Sequence, residues 1–225
     1  MSQTGAGYTL SRELTEIPAA VREAPAPVVP EFDGPYTLRV ADPDTGDAEL
    51  VTEWMHRPHL VQTWEQDWPV ERRLADMRAQ LSGTFSRPCV LEFDYAAAGQ
   101  PDVGRRDVAY LELYRAARDE ISRLYHADPH DMGFHIATAD PDLRGRGIIS
   151  GWLGQMLEAI FAADPDCRRI MVDPDYRNTP MHRAVSKIGC GDLGEFDVRP
   201  DRRIRLFARP RSPQDLPAAR GWNVP

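Results

Sequence analysis

Apolar positions along the chain recur with two periods, and together they outline an alternating α/β chain. Period-two or short continuous apolar runs predict strands at Tyr36–Val40, Cys89–Phe93, Val108–Tyr114, Met132–Ala139 and Arg169–Val172. Leu193–Val198 and Ile204–Ala208 read as a terminal hairpin. Helical spacing places Ala48, Val51, Trp54 and Met55 on one face of a helix over 45–56. The same spacing gives Val70, Leu74, Met77 and Leu81 a helix over 70–82. The clearest stripe is Ile148, Ile149, Trp152, Leu153, Met156, Leu157, Ile160 and Phe161, which predicts a helix over 147–162. Further helices are expected over 116–126 and 179–188, and a short one within 11–22. The order β-α-α-β-β-α-β-α-β-α-β-β implies an α/β layer fold with a mixed central sheet flanked by helices.

The proline-rich run Ala24–Pro30 closes an extension over residues 1–34, and Pro210 opens a tail over 210–225. Between them, 35–209 reads as one domain, large enough to fold on its own core. No internal repeat interrupts it.

Charge narrows the partners. Twenty-seven Lys and Arg against 35 Asp and Glu leave a net −8 over 225 residues, which argues against nucleic acid or an anionic membrane as partner. No apolar run approaches the length of a membrane span. Lys187 is the only lysine, a bias most simply set by a GC-rich genome. Cys89, Cys167 and Cys190 are odd in number and lack CxxC spacing, so reduced thiols in a cytoplasmic protein are expected, without a disulfide framework or metal site. No export signal is evident at the N-terminus.

Four stretches could carry chemistry. In Arg144-Gly145-Arg146-Gly147-Ile148, two glycines precede the strongest helix, a setting suited to a pyrophosphate at a helix N-terminus; an ordinary glycine turn fits equally. His135 shares a strand face with Gly133 and Ala137, which leaves room for a ligand beside the imidazole, although a structural histidine also fits. Asp173 ends a buried strand where α/β sheets place clefts; a turn acid, with Asn178 capping the next helix, is the alternative. Tyr110, Glu112 and Tyr114 alternate onto one face, either a recognition surface for a cationic substrate or a plain solvent-facing sheet.

Together these residues resemble the GNAT superfamily of acyl-CoA-dependent N-acyltransferases, and within it the siderophore acyltransferase branch. The resemblance runs over about 35–209 through Glu53–Leu60, Trp64–Pro69, Tyr110–Tyr114, Ala127–Asp131, Gly133–His135, Cys167–Met171, Asp173–Asp175 with Asn178, and Gly189–Cys190. It implies the GNAT fold, with Asp173 as general base and His135, Tyr110, Glu112 and Tyr114 around the amine. Arg144, Gly145, Arg146, Gly147, Ile148 and Asn178 would hold acyl-CoA or the acyl-phosphopantetheine of a carrier protein. The implied reaction acylates the terminal amine of lysine or ornithine, or its N-hydroxylated form, in assembly of a hydroxamate iron chelator.

Two positions depart from the family pattern. Ile149 stands where the R/Q-x-x-G-x-G/A loop ends in a small residue, and Val185 stands where many members carry a tyrosine acid. The competing readings are an aminoglycoside 6′-N-acetyltransferase and a non-catalytic acyl-CoA-binding module. Trp152, Leu153, Met156 and Phe161 read as core, with a tunnel for a fatty chain as the alternative. The arginines of 199–211 read as a solvated basic face or a docking surface for an acidic carrier protein.

Overall fold

A computed structural model describes residues 8–64, 66–139 and 147–218. Its centre is a seven-stranded sheet in the order β1-β2-β3-β4-β5-β7-β6. The strands are β1 (Tyr36–Val40), β2 (Ser86–Asp94), β3 (Arg105–Arg115), β4 (Met132–Thr138), β5 (Arg169–Val172), β6 (Gly191–Arg199) and β7 (Arg202–Pro210). All neighbours are antiparallel except β4 and β5, so the sheet is mixed, as the element order implied.

Alternation of side chains gives the sheet two apolar faces. On one, Leu91, Leu111, Leu113 and Phe134 pack against α5 (Ile148–Ala163), which contributes Trp152, Leu153, Met156, Leu157 and Ile160, all at most 1% exposed. Each such side chain stabilises the fold by roughly 1.5–3 kcal/mol. Their place in the core is the plainer of the two sequence readings. Val185, on α6 (Thr179–Lys187), lies in the same cluster. On the other face, Val90, Tyr110 and Ala137 pack under Val51, Trp54 and Met55 of α2 (Asp47–Met55). Leu60 and Trp64 of α3 (Pro58–Trp64) and Met77 of α4 (Val70–Ser82) complete that layer.

Three local expectations change. Helix α3 is additional: Pro58 starts it in the first turn, where a missing N–H is tolerated, rather than breaking the chain. The expected helix over 116–126 is instead two 3₁₀ turns, 116–118 and 120–124. Asp119 between them is extended (φ −90°, ψ 155°) and bridges Glu13, which a continuous helix would forbid. Within 11–22, Pro18 delays the helix, and α1 covers only Ala19–Glu23.

The proline-rich segment lies against the domain. Arg115, fully buried, donates to the carbonyls of Pro25 and Ala26 as well as to His130 O and the Asp164 carboxylate. Leu10, Val21 and Ala24 are buried along the same path.

Candidate active site

The pairing of β4 with β5 lasts only for Met132↔Ile170 and Gly133↔Met171. β4 continues to Thr138, whereas β5 ends at Val172 and Asp173 follows it directly, outside the ladder. The sheet therefore opens beside His135, with Asp173 at the fork.

Register then decides what surrounds the imidazole. Across the β3–β4 ladder, Tyr110 faces Ala137, Glu112 faces His135 and Tyr114 faces Gly133. Each large β3 side chain thus leans over a small or polar β4 residue on the same face. The Tyr110–Glu112–Tyr114 face is not solvent-facing: Tyr110 and Tyr114 are at most 1% exposed and Glu112 is 9% exposed. The space above Gly133 is filled by the Tyr114 ring, since a Cβ placed there would lie 2.5 Å from Tyr114 Cε2 and 2.6 Å from its hydroxyl oxygen. Tyr114 stacks on His135 with ring centroids 4.6 Å apart, and Trp64 meets His135 edge-on at 6.0 Å.

A continuous polar chain runs through the site. Arg73 donates to Gln66 Oε1 (2.6 Å), and the Gln66 amide donates to Glu112 Oε1 (3.4 Å). Glu112 Oε2 faces His135 Nδ1 at 3.4 Å, and His135 Nε2 faces Asp173 Oδ1 at 3.2 Å. Asp173 accepts from the Tyr114 hydroxyl (2.6 Å) and from Arg202 Nη2 (2.5 Å). Arg202 Nη1 then binds Glu120 (2.6 Å). The imidazole stands between two carboxylates, Asp173 held directly by Arg202 and Glu112 linked to Arg73 through Gln66. Asp76 and Asp119, both nearly fully buried, also border the pocket.

The electrostatics follow from this order. For His135, burial and the Arg12 guanidinium favour the neutral ring, but the Asp173 and Glu112 carboxylates outweigh them and raise its pKa above 6.5. For Glu112, burial favours the neutral acid, yet its hydrogen bond and charge interaction with His135 bring it down to about 2. For Asp173, burial is likewise outweighed by His135 and Arg202, which hold the carboxyl well below the usual carboxylate range. Burial, then the nearby Asp173 charge, pushes Asp119 up to about 6. Asp173 is thus a firmly charged, fully enclosed carboxylate, and His135, its side chain 14% exposed, is the member that reaches the pocket with proton affinity.

Of the loop 144–148, Arg144, Gly145 and Arg146 lie outside the described residues. Gly147 is the N-cap of α5, at φ +80°, and offers no side chain to cap it. The first N–H groups of a sixteen-residue helix are therefore without a side-chain acceptor among the described residues, which fits an anionic ligand. Asn178 accepts from Met181 N at 3.3 Å and caps α6, so its carbonyl is engaged there. The arginines of the terminal hairpin are paired: Arg203 with Glu195, Arg205 with Asp192 and Arg209 with Glu158. Arg211 binds the carbonyls of Phe161, Asp164 and Cys167.

Sequence reasoning missed Arg12, Gln66, Arg73, Asp76, Asp119 and Arg202. Arg12 Nη1 lies 2.6 Å from His135 Nε2 and 3.0 Å from Nδ1, from a position 123 residues away. Arg73 and Gln66 lay within or beside stretches already notable, but nothing in their spacing pointed to β3.

Comparison with known proteins bears on the fold and the family. Residues 44–198 match the family model for the acetyltransferase (GNAT) domain. The chain is 47% identical over 208 residues to the lysine N-acyltransferase MbtK of Mycobacterium sp. (strain MCS), covering 92% of this chain and 80% of that one. It is 30% identical over 175 residues to the N(6)-hydroxylysine O-acetyltransferase of Escherichia coli, covering 78% of this chain and 52% of the other. The aminoglycoside acetyltransferase AAC(6')-Ib, solved with coenzyme A, superposes with a TM-score of 0.64 at 20% identity, over 80% of this chain and 96% of that one; at that identity it establishes the fold alone. A seven-stranded mixed sheet whose one parallel pair among the described residues is short, and a family match across most of the domain, agree: the chain is an acyltransferase of the GNAT family.

Proposed function

We propose that the protein transfers an acyl group from acyl-CoA to the terminal amine of lysine, in assembly of a hydroxamate iron chelator in the cytoplasm. The observation that carries this reading is the buried set of carboxylates around His135, namely Glu112, Asp173, Asp76 and Asp119, which suits a cationic alkylamine. The MbtK name of a relative at 47% identity supports lysine as the acceptor. The pairing of the hairpin arginines supports acyl-CoA over a carrier-protein thioester as donor. Gly147 and Ile148, with Arg144, Gly145 and Arg146, are the residues we assign to its pyrophosphate, and Asn178 to its approach.

The chemistry needs a free amine. A lysine ammonium has a pKa of about 10.4, so a proton must leave before the nitrogen can attack. His135 is the acceptor within reach of the pocket, and Asp173 holds the resulting imidazolium as the anionic partner in the base. Glu112 and Tyr114 wall the amine; Tyr110, enclosed beneath α2 and α3 and away from the pocket, supports Glu112 by donating to its Oε1 (3.3 Å). The nitrogen then bonds to the thioester carbonyl carbon, the C–S bond breaks, and the departing thiolate takes up the second proton that the nitrogen sheds as the amide forms. With a pKa near 8.5 for a thiol, that leaving group tolerates the absence of the tyrosine acid that Val185 replaces. The buried cysteines are held as neutral thiols, Cys89 pushed up to about 12 chiefly by burial, so transfer is direct rather than through an acyl-cysteine.

The test is a thiol-release panel crossing short-, medium- and long-chain acyl-CoA with lysine, N-hydroxylysine, N-hydroxyornithine and an aminoglycoside. Lysine should be turned over best, and Asp173→Asn should lower kcat by roughly 10²–10⁴-fold with a much smaller change in KM. Full activity in Asp173→Asn removes Asp173 from the base, and preference for the aminoglycoside overturns the assignment.

A further inference from the structure

We propose that Arg12 is a resident occupant of the acceptor subsite: its guanidinium holds the place of the substrate ammonium beside His135 and swings out when the amine enters. The proposal rests on the acyl-transfer reading and adds a residue that chooses among acceptors.

Three independent features point there. The first is space. With Arg12 in place, the cavity bounded by Arg12, Glu112, Tyr114, Asp119 and His135 is about 20 Å³, room for roughly one water and far too little for a butylammonium chain. An amine entering through this cavity reaches the imidazole by taking the volume Arg12 fills.

The second is charge. The groups that face His135 are Glu112 and Tyr114 from β3, Asp173 after β5, Arg202 from β7 acting through Asp173, Asp119 from the 3₁₀ turns and Arg12 from the N-terminal segment. Asp76 and Arg73 stand behind Glu112 on α4. Arg202 is committed to Asp173 and Glu120, and Arg73 to Gln66. Arg12 is the remaining cation, and among the described residues its guanidinium hydrogen-bonds only to His135. A charge in an acidic pocket that lacks a close carboxylate partner of its own is readily exchanged for another of the same sign.

The third is the backbone. Arg12 is the single non-glycine residue with positive φ (68°) among the described residues, a conformation that an L side chain adopts only when its surroundings impose it. Its carbonyl accepts from Glu120 N, Leu14 N donates to Arg118 O, and Glu13 pairs with Arg118. The main chain is therefore pinned while the half-buried side chain points at the imidazole and can rotate toward solvent. An exchange of like charges favours an alkylammonium over a neutral N-hydroxylamine, so the same contact selects the unhydroxylated acceptor.

Arg12→Lys tests the placement directly. It puts a primary amine, one atom shorter than the guanidinium, where the acceptor nitrogen should sit. With acyl-CoA and no free amine, position 12 should be acylated: its nitrogen bonds to the acyl carbon, the thiol is released, and the proton passes to His135. Intact-protein and peptide mass spectrometry should find one acyl group at position 12, formed at least tenfold faster than on Lys187, which is exposed on α6 and serves as the internal reference. Acylation at position 12 no faster than at Lys187 overturns the proposal. Arg12→Gln supplies the second measurement. By emptying the subsite it should lower KM for lysine about tenfold, the gain expected if about one-tenth of wild-type molecules are open. An unchanged or raised KM overturns the proposal by making Arg12 inert or a holder of substrate. Failure of the wild type to acylate lysine or any other amine in the panel refutes the acyl-transfer reading instead.

Discussion

Adding one carbon at Gly133 should disable the site without touching a charged group. The Cβ of Gly133→Ala would lie 2.5 Å from Tyr114 Cε2, whereas carbon atoms in contact sit near ~3.5 Å, so the ring must retreat by about 1 Å. That retreat breaks a 2.6 Å hydrogen bond to Asp173 and the 4.6 Å stack on His135 together. Overpacking of this kind destabilises by about 1–3 kcal/mol, which for a chain of this length lowers Tm by roughly 2–12 °C. Displacing the histidine–carboxylate pair by about 1 Å should lower kcat by ~10²-fold. Thiol release at saturating acyl-CoA and lysine, with thermal unfolding on the same samples, reads both effects. Tyr114→Phe, which keeps the ring and the stack but not the hydrogen bond to Asp173, separates the two contributions to the rate. Gly133→Ala with kcat within threefold of wild type and an unchanged Tm would refute the reasoning, because the ring would then not be held where the base depends on it.

The remaining predictions concern proton affinity and thiols. Because the carboxylates beside His135 raise its pKa, the imidazole stays protonated and unable to accept until pH passes above 6.5, so kcat/KM should rise with pH through that group. Glu112→Gln removes one of those carboxylates and should move this acid limb to lower pH; a limb that stays in place argues against His135 as the titrating base. Cys89, Cys167 and Cys190 are buried and held as neutral thiols, so iodoacetamide at neutral pH should leave the folded protein unlabelled and fully active. Loss of activity proportional to labelling would revive an acyl-cysteine route.

Local pattern revealed the members of the site that sit on strands. Period-two spacing put Tyr110, Glu112 and Tyr114 on one face, and placed His135 with Gly133 and Ala137 on another strand. It did not reveal the register that sets Glu112 against His135 and Tyr114 over Gly133, because register depends on where two strands joined by the irregular segment 116–131 begin to pair. The room expected beside the imidazole was therefore assigned to a ligand, when an aromatic ring from β3 occupies part of it. Arg12, Asp119 and Arg202 join the site from irregular segments or a hairpin end, where no periodicity marks a side chain as inward-facing. The loss of the 116–126 helix has the same origin: the bridge from Glu13 to Asp119 is a long-range contact that overrides local helical spacing.

Arg115 carries a consequence for the order of assembly. Its donors join carbonyls about 90 residues away in the N-terminal segment to His130 and to Asp164, 49 residues on. Those bonds close loops of 90 and 49 residues, and the entropy of such closures makes them expected late contacts in folding. The N-terminal segment therefore docks late, onto a sheet already built. Arg12 belongs to the same segment, so what Arg115 holds in place at Pro25 and Ala26 also helps keep the guanidinium at the mouth of the pocket.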